Sequence, residues 1–341
     1  MENNIYVVIL GAGRGSRMNS RDPDHSKVAY PILGKPLINY VIDAVKPLGV
    51  KDIFTVVGYG GKATEQCVKN ESKVVWQKEI LGTGHALMQV KELADKEGTV
   101  VVVGGEMALL TTETLNKALH KHHKNGNALT ICTSVLENPK GYGRVIREKG
   151  SYRLLRIVED RDCTEEEAEI DEVNAGIYII NNKLLQEYLP KLSNNNAKKE
   201  FYLSELVKLF GQDGYRSEAY VLEDARDIFC VSDRFQLSYA AKTIRKRVNK
   251  KLMLHGVSIE DPETAYISPD IKIGKDTVIM ANTTILGKSK IGEANFIGPN
   301  TVLNNVIVGN DNVITCSYIE NSEITNNKNI GPFVHMENEK C

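Results

Sequence analysis

The sequence predicts two architectures in series: an α/β domain on a mostly parallel sheet, then a short parallel β-helix of hexapeptide repeats. Three observations predict this. Residues 5–10, IYVVIL, form a continuous apolar run that ends at once in a glycine-rich turn, GAGRG. Strand-like and helix-like segments then alternate along the chain as far as residue 230. After Gly256 the texture changes, and Ile267, Ile273, Ile279, Ile285, Ile291, Ile297 and Leu303 recur at steps of six.

Each element has its own signal. The run at 5–10 is short, apolar and bounded by glycine, as a buried strand should be. A helical pattern starts near Pro36 (PLINYVIDAVKPLG). Residues 52–58 (DIFTVVG), 99–103 and 128–135 read as strands, and 84–94 and 112–123 as helices. Strands alternating with helices imply a parallel sheet covered on both faces. Residues 1–230 form this domain. Residues 231–255 form a linker helix from Asp233, rich in Lys and Arg (KTIRKRVNKK), whose charge run reads as a solvated face. Residues 256–341 form the β-helix: each hexapeptide makes one flat side, and its aliphatic residue stacks on the coil below. The pattern loosens after Leu303, where Asn is abundant, but VIVGNDNV and YIENSEIT still read as coils.

A length of 341 residues suits two domains. With 42% apolar and 26% charged residues, the composition is that of an ordinary globular protein. Lys plus Arg number 43 against 44 Asp plus Glu, so the net charge is −1. Nothing in that balance points to nucleic acid or a membrane surface, though a local phosphate site is allowed. No apolar run approaches the ~20 residues that span a bilayer. The N-terminus, MENNIYVVIL, lacks a basic n-region and a cleavage site, so no signal peptide is expected. Six cysteines are scattered without a CxxC pair. They read as free thiols in a reducing cytoplasm.

The loop at 10–17, LGAGRGSR, followed by Lys27, carries the chemistry. A glycine-rich turn after a strand presents backbone N–H groups to phosphate oxygens. A dinucleotide site also begins GxG. Against that reading, the loop runs on as GSRM rather than into a helix. Arg17 and Lys27 flank it, and no acidic residue ends the second strand at the ribose position. Arg17 offers a planar fork and Lys27 a point charge for phosphate.

The segments LGAGRGSRM…SKVAYPILGKPL resemble the signature of the sugar-1-phosphate nucleotidyltransferases. ILGTGHA (80–86), GYGRVIRE (141–148), IVEDRD (157–162), VNAGIY (173–178) and the hexapeptide stretch narrow the resemblance. They are similar to the bacterial bifunctional N-acetylglucosamine-1-phosphate uridylyltransferase/glucosamine-1-phosphate acetyltransferase family, over almost the whole chain. The resemblance implies a Rossmann-like nucleotidyltransferase domain and a left-handed parallel β-helix. It implies uridylyl transfer from UTP to N-acetylglucosamine 1-phosphate, with release of pyrophosphate. It implies that Leu10, Gly11, Ala12, Gly13 and Gly15 hold the nucleotide while Arg17 and Lys27 act on the phosphates. Gln77, Gly82 and Thr83 would read the uracil; Gly143, Glu159 and Asn174 would hold the sugar. Mg²⁺ is the implied cofactor, at Glu106 and Ser232 with Asp233 adjacent, and the implied assembly is a homotrimer through the β-helix. Family acetyltransferase residues would lie on coils beyond Cys341, so no acetyl-CoA chemistry is expected of this chain.

Five positions depart from the family pattern. Glu106 stands where an Asp ligand is usual, Ser232 where Asn is, Ile80 where a polar residue is, Gly104 where an aromatic is, and Ala175 where Thr is. They leave two other readings open. One is the same reaction on another nucleotide or sugar phosphate, motivated by Ile80 and Ala175. The other is a catalytically silent nucleotide-sugar-binding protein, motivated by Glu106 and Ser232. Other features have plainer readings. His85 packs or caps after GTG, His120, His122 and His123 lie at a solvated helix end, and Trp76 is core or pocket wall. The acidic run TEEEAEIDE is a solvated helix face, and His335 a surface residue.

Overall fold

The computed structural model describes residues 4–22, 25–149 and 153–341, so the first three residues of the N-terminal segment lie outside it. The chain divides into two compact units. One comprises residues 1–30 and 36–236, the other 31–35 and 237–341.

In the first unit, β1 (Ile5–Gly11), β2 (Asp52–Val57), β3 (Lys73–Trp76), β4 (Thr99–Gly104), β5 (Leu129–Val135), β8 (Glu172–Asn181) and β9 (Ser217–Val221) form a sheet in the order β9-β5-β8-β4-β1-β2-β3. Two short strands, β6 (Arg144–Arg147) and β7 (Leu154–Val158), pair with each other and join it through β8. The neighbours of β1 are parallel to it. β8 runs antiparallel to both β4 and β5, the one long strand that departs from the parallel expectation.

The central strands β1 and β4 are continuous apolar runs because both of their faces are covered. Tyr6 and Val8 of β1 enter one core, while Val7 and Ile9 enter the other. Val100 and Val102 of β4 alternate with Val101 and Val103 in the same way. Helix α1 (Leu37–Val45) buries Leu37, Ile38, Val41, Ile42 and Val45, the spacing of a single helical stripe. Further helices are α2 (Gly61–Val68), α3 (Thr83–Met88), α4 (Thr112–Lys124), α5 (Glu165–Ala168), α6 (Asn182–Tyr188), α7 (Leu206–Gln212) and α8 (Arg234–Leu254). The acidic run forms α5, closed by a capping box between Thr164 and Glu167.

Two sequence readings need correction. Trp76 lies on the edge strand β3 and is 41% exposed, packed over Gly61 rather than buried in a core. The end of α4 is not wholly solvated: His122 is 3% exposed and meets the Thr130 hydroxyl at 3.0 Å, while His123 meets Thr99. Burial lowers the His122 imidazole to about 4.

The second unit is a left-handed parallel β-helix whose three sides are parallel ladders of two- and three-residue strands. The hexads stack in register. Ile267 lies against Ile285, Leu303, Ile319 and Met336; Ile279 against Ile297, Ile314 and Ile330; Ile273 against Ile291, Val308 and Ile324. The irregularity after Leu303 is a shortening of the coil. Stacked corner asparagines are 18 residues apart at Asn282 and Asn300, but 16 apart at Asn305 and Asn321. Asn is abundant there because the corners require left-handed backbone, which Asn tolerates better than most residues. Asn282, Asn300, Asn305, Asn321, Asn327 and Asn338 all have positive φ.

The basic helix α8 is not uniformly solvated. Arg245 is buried and pairs with Glu263 at 2.7 Å, while Asn249 donates to the carbonyls of Pro262 and Ala265. The segment 31–35 also belongs to this unit: Ser268 donates to the Leu33 carbonyl, and Lys35 pairs with Asp270 at 2.8 Å.

Removing one rung should open a cavity that the stacked coils cannot collapse around. Ile285→Ala is expected to destabilise the β-helix by about 2–5 kcal/mol, read as an earlier transition in thermal unfolding. Lys288→Ala, at an exposed corner, should leave that transition in place.

Candidate active site

β1 and β4 are parallel neighbours, and they end together. Leu10 is opposite Gly104, and the Gly105 N–H donates to the Leu10 carbonyl at 2.9 Å. The glycine-rich loop and the turn carrying Glu106 therefore leave the sheet side by side, at the carboxyl ends of the strands, where open α/β sheets bind ligands.

After β1 the loop enters a single 3₁₀ turn, Ser16–Met18, which carries Arg17. Gly15 precedes it with φ of 59°, and a Cβ there would stand 2.7 Å from Cβ of Lys27. Glycine is required twice over, for the left-handed backbone and for the close approach of loop to Lys27. Lys27 opens a second 3₁₀ turn, Lys27–Ala29. Its ammonium lies 3.1 Å from Oε1 of Glu106, with side chains 13% and 23% exposed. Arg17, Lys27 and Glu106 all act electrostatically on Cys230, whose thiol burial pushes up to about 12. Arg17 and Cys230 act likewise on Tyr142, whose phenol burial raises to about 12. Cys230 and Tyr142 thus lie near the Arg17 cation, Tyr142 within the GYGRVIRE segment.

Glu106 and Gly104 fit one another. A Cβ at residue 104 would lie 3.3 Å from both Cδ and Oε2 of Glu106, so a glycine there gives the longer acidic side chain room to turn toward Lys27. Ser232 reaches the same turn, because the Val231 N–H donates to the Glu106 carbonyl at 3.2 Å. Asp233 is engaged elsewhere: its Oδ1 accepts from the Gln236 N–H at 2.7 Å and caps α8. One carboxylate and one hydroxyl on neighbouring backbone are hard oxygen donors. They fit Mg²⁺, which commonly takes one or two carboxylates and completes its shell with water and substrate phosphates.

Gln77 is 2% exposed, and its amide nitrogen donates to the Gly82 carbonyl at 3.2 Å and contacts His85 at 3.0 Å. His85 also meets Gln89, so it bridges two amides rather than facing solvent. Gly82 has φ of 104°, and a Cβ there would stand 2.6 Å from the Phe201 carbonyl. Thr83 accepts from the Leu203 N–H at 3.0 Å. The 82–84 turn is thereby pinned to residues 201–203. Ile80 packs its methyl against Gly58, next to Ala12 of the loop.

Gly143, Glu159 and Asn174 form a second cluster. The Asn174 N–H donates to the Gly143 carbonyl at 2.8 Å, and a Cβ on Gly143 would sit 3.4 Å from Oε1 of Glu159. Asn174 donates to the Tyr178 hydroxyl at 2.6 Å across a bulge in β8, where Gly176 has positive φ. Ser204 donates to Glu159 at 3.1 Å and lies within hydrogen-bond reach of Tyr178. Burial holds the Glu159 carboxyl above its ordinary range, against the Ser204 bond that lowers it. A cavity of 290 Å³ opens beside it, lined by Glu159, Tyr202, Ser204 and Lys208 among others. The Tyr202 hydroxyl is buried there with no hydrogen-bond partner. Tyr202 and Ser204 escape sequence reading because they are some 45 residues from Glu159 in the chain.

Because the folded state favours protonated Glu159, this residue's contribution to stability is greatest in acid and is lost as pH rises through its raised pKa. Glu159→Gln should therefore raise the thermal midpoint at pH 7 relative to the parent. That gain should shrink below pH 4.5; an equal shift at both pH values would contradict the burial argument.

Residues 6–242 match the profile of the Nucleotidyl transferase family, and residues 270–305 match Bacterial transferase hexapeptide (six repeats). The chain is 40% identical over 335 residues to the bifunctional protein GlmU of Caldanaerobacter subterraneus subsp. tengcongensis, covering 98% of this chain and 72% of that protein. It is 41% identical over the same length to GlmU of Thermoanaerobacter pseudethanolicus, with the same coverage. GlmU of Fervidobacterium nodosum is 43% identical over 86% of this chain and 63% of its own length.

Proposed function

Because the chain belongs to the nucleotidyl transferase family and is a homologue of the bifunctional GlmU proteins, we propose that it transfers a uridylyl group from UTP to N-acetylglucosamine 1-phosphate and releases pyrophosphate. The observation that carries the reading is the meeting of Lys27 and Glu106 at 3.1 Å beside the glycine-rich loop. That pair would offer a cation and a candidate metal carboxylate to a triphosphate bound on the loop.

The loop's N–H groups would bind the triphosphate, with Arg17 and Lys27 neutralising its charge. Gln77, Gly82 and Thr83 would face the uracil. The Gln77 amide nitrogen is already used by Gly82, so its carbonyl is the part left for the base. Gly143, Glu159 and Asn174 would orient the sugar. The sugar phosphate attacks the α-phosphorus in line: a new P–O bond forms as the bond to the β-phosphate breaks, and pyrophosphate departs. The nucleophile is already an anion, so no general base is required, and positioning supplies much of the rate. Mg²⁺ held by Glu106 and Ser232 would neutralise charge between the two phosphates.

The first test is pyrophosphate release with UTP, N-acetylglucosamine 1-phosphate and Mg²⁺, with a control lacking the sugar phosphate. Sugar-dependent release is expected, and Lys27→Ala should lower it by about 10²-fold or more, the scale of losing one preorganised charge contact. Nucleotide binding without turnover would favour a silent binding protein, and activity appearing only in the Glu106→Asp, Ser232→Asn double variant would strengthen that alternative. Ile80, apolar beside Ala12, favours a second reading with another base, which comparison of UTP with ATP, GTP, CTP and dTTP decides.

The flat sides of the β-helix would carry a homotrimer, since Tyr266, Ile307, Val313 and Tyr318 are each at least 40% exposed on them. Light scattering should give three times the chain mass; a monomer at micromolar concentration would remove that assembly. Among the described residues no helix is long and apolar enough to cross a membrane.

A further inference from the structure

We infer that Arg234 is a positioning residue that locks together the two segments carrying Arg17 and Lys27. The inference deepens the uridylyl-transfer reading and rests on it. The two cations sit in separate 3₁₀ turns of three residues each, Ser16–Met18 and Lys27–Ala29. Such turns have poor hydrogen-bond geometry and hold their shape weakly alone.

Arg234, the first residue of α8, reaches both. Its Nε donates to the Met18 carbonyl at 3.0 Å, immediately after Arg17. Its Nη2 donates to the Tyr30 hydroxyl at 3.3 Å, and its guanidinium carbon lies 5.1 Å from the centre of the Tyr30 ring. Tyr30 in turn closes the Lys27 turn, its N–H donating to the Lys27 carbonyl at 3.4 Å, while its own carbonyl accepts from Leu37 at the start of α1. The base of the clamp is fixed as well. Val231 is bonded to the Glu106 backbone, and Asp233 caps α8. The short segment 231–234 thus meets the Glu106 turn, the Arg17 turn and the Lys27 turn at once.

A guanidinium suits this work. Its planar fork serves two acceptors while its face rests on an aromatic ring, and a Lys ammonium cannot do both. Arg234 bonds a backbone carbonyl and a phenol, so it acts through the residues it holds rather than on substrate.

The test uses Arg234→Gln, Arg234→Lys and Tyr30→Phe in the full chain. Arg234→Gln should lower kcat for pyrophosphate release about 10- to 100-fold, the scale of a small misplacement of catalytic groups, with KM for the sugar phosphate changed less than about threefold. Arg234→Lys should recover part of the loss, and Tyr30→Phe should show a smaller one. In an Arg17→Gln background, Arg234→Gln should cost clearly less than in the parent, because a residue it positions is gone. Parental kcat in Arg234→Gln, or equal losses in both backgrounds, overturns the inference. If Arg234→Gln does not fold, Tyr30→Phe decides by the same measure, and parental kcat there overturns the clamp. Should the parent release no pyrophosphate, the uridylyl reading fails, and calorimetry with inorganic triphosphate still tests the clamp. Weakening of about fivefold or more in Arg234→Gln supports it, and unchanged affinity overturns it.

Discussion

The parallel pairing of β1 with β4 is the constraint on which the site depends. Six residue pairs hold the two strands in register, from Ile5 against Thr99 to Leu10 against Gly104. A slip of one residue would carry every side chain to the opposite core, and both cores are closely packed. With register held, both strands release their chains at the same level. The glycine-rich loop and the Glu106 turn are then neighbours without any contact having been made between their side chains. The Lys27–Glu106 pair, the position of Ser232 and the reach of Arg234 all follow from that shared exit.

The site gathers charge in a small space. Arg17 and Lys27 both act on Cys230, and Glu106 offsets part of that positive charge by pairing with Lys27. Glu106 and the glycine at residue 104 belong together sterically, because a Cβ at 104 would crowd the Glu106 carboxyl group at 3.3 Å.

The β-helix obeys a different logic. Its strands are two or three residues long, too short for any to persist alone. Stability comes from repetition: each aliphatic rung covers the one before it, and corner asparagines bond between coils, Asn282 to Asn300 and Asn305 to Asn321. Coils can therefore shorten after Leu303 without loss of the core, since Ile314, Ile319, Ile324 and Ile330 still fall on the ladders.

Much of this was legible in the residues. The hexad ladder is a one-dimensional period, so Ile267 through Leu303 announce their own stacking. The buried runs at 5–10 and 99–103 announce strands covered on both faces, and the glycine-rich turn announces its place after the first of them. What depends on distant segments meeting was not legible. That β8 would run antiparallel between β4 and β5 is a property of chain routing, which local composition does not encode. Tyr202 and Ser204 join Glu159 only because the 201–204 turn converges on it. Asp233 reads in the sequence as a candidate ligand beside Ser232, and the fold also uses its Oδ1 to cap α8. His122 reads as solvated but is buried against β5. The elements and the residue types available to the site could be read locally, because period and composition are local properties. The tertiary structure decided which charges face each other, because electrostatic and hydrogen-bond partners are set by distance in space.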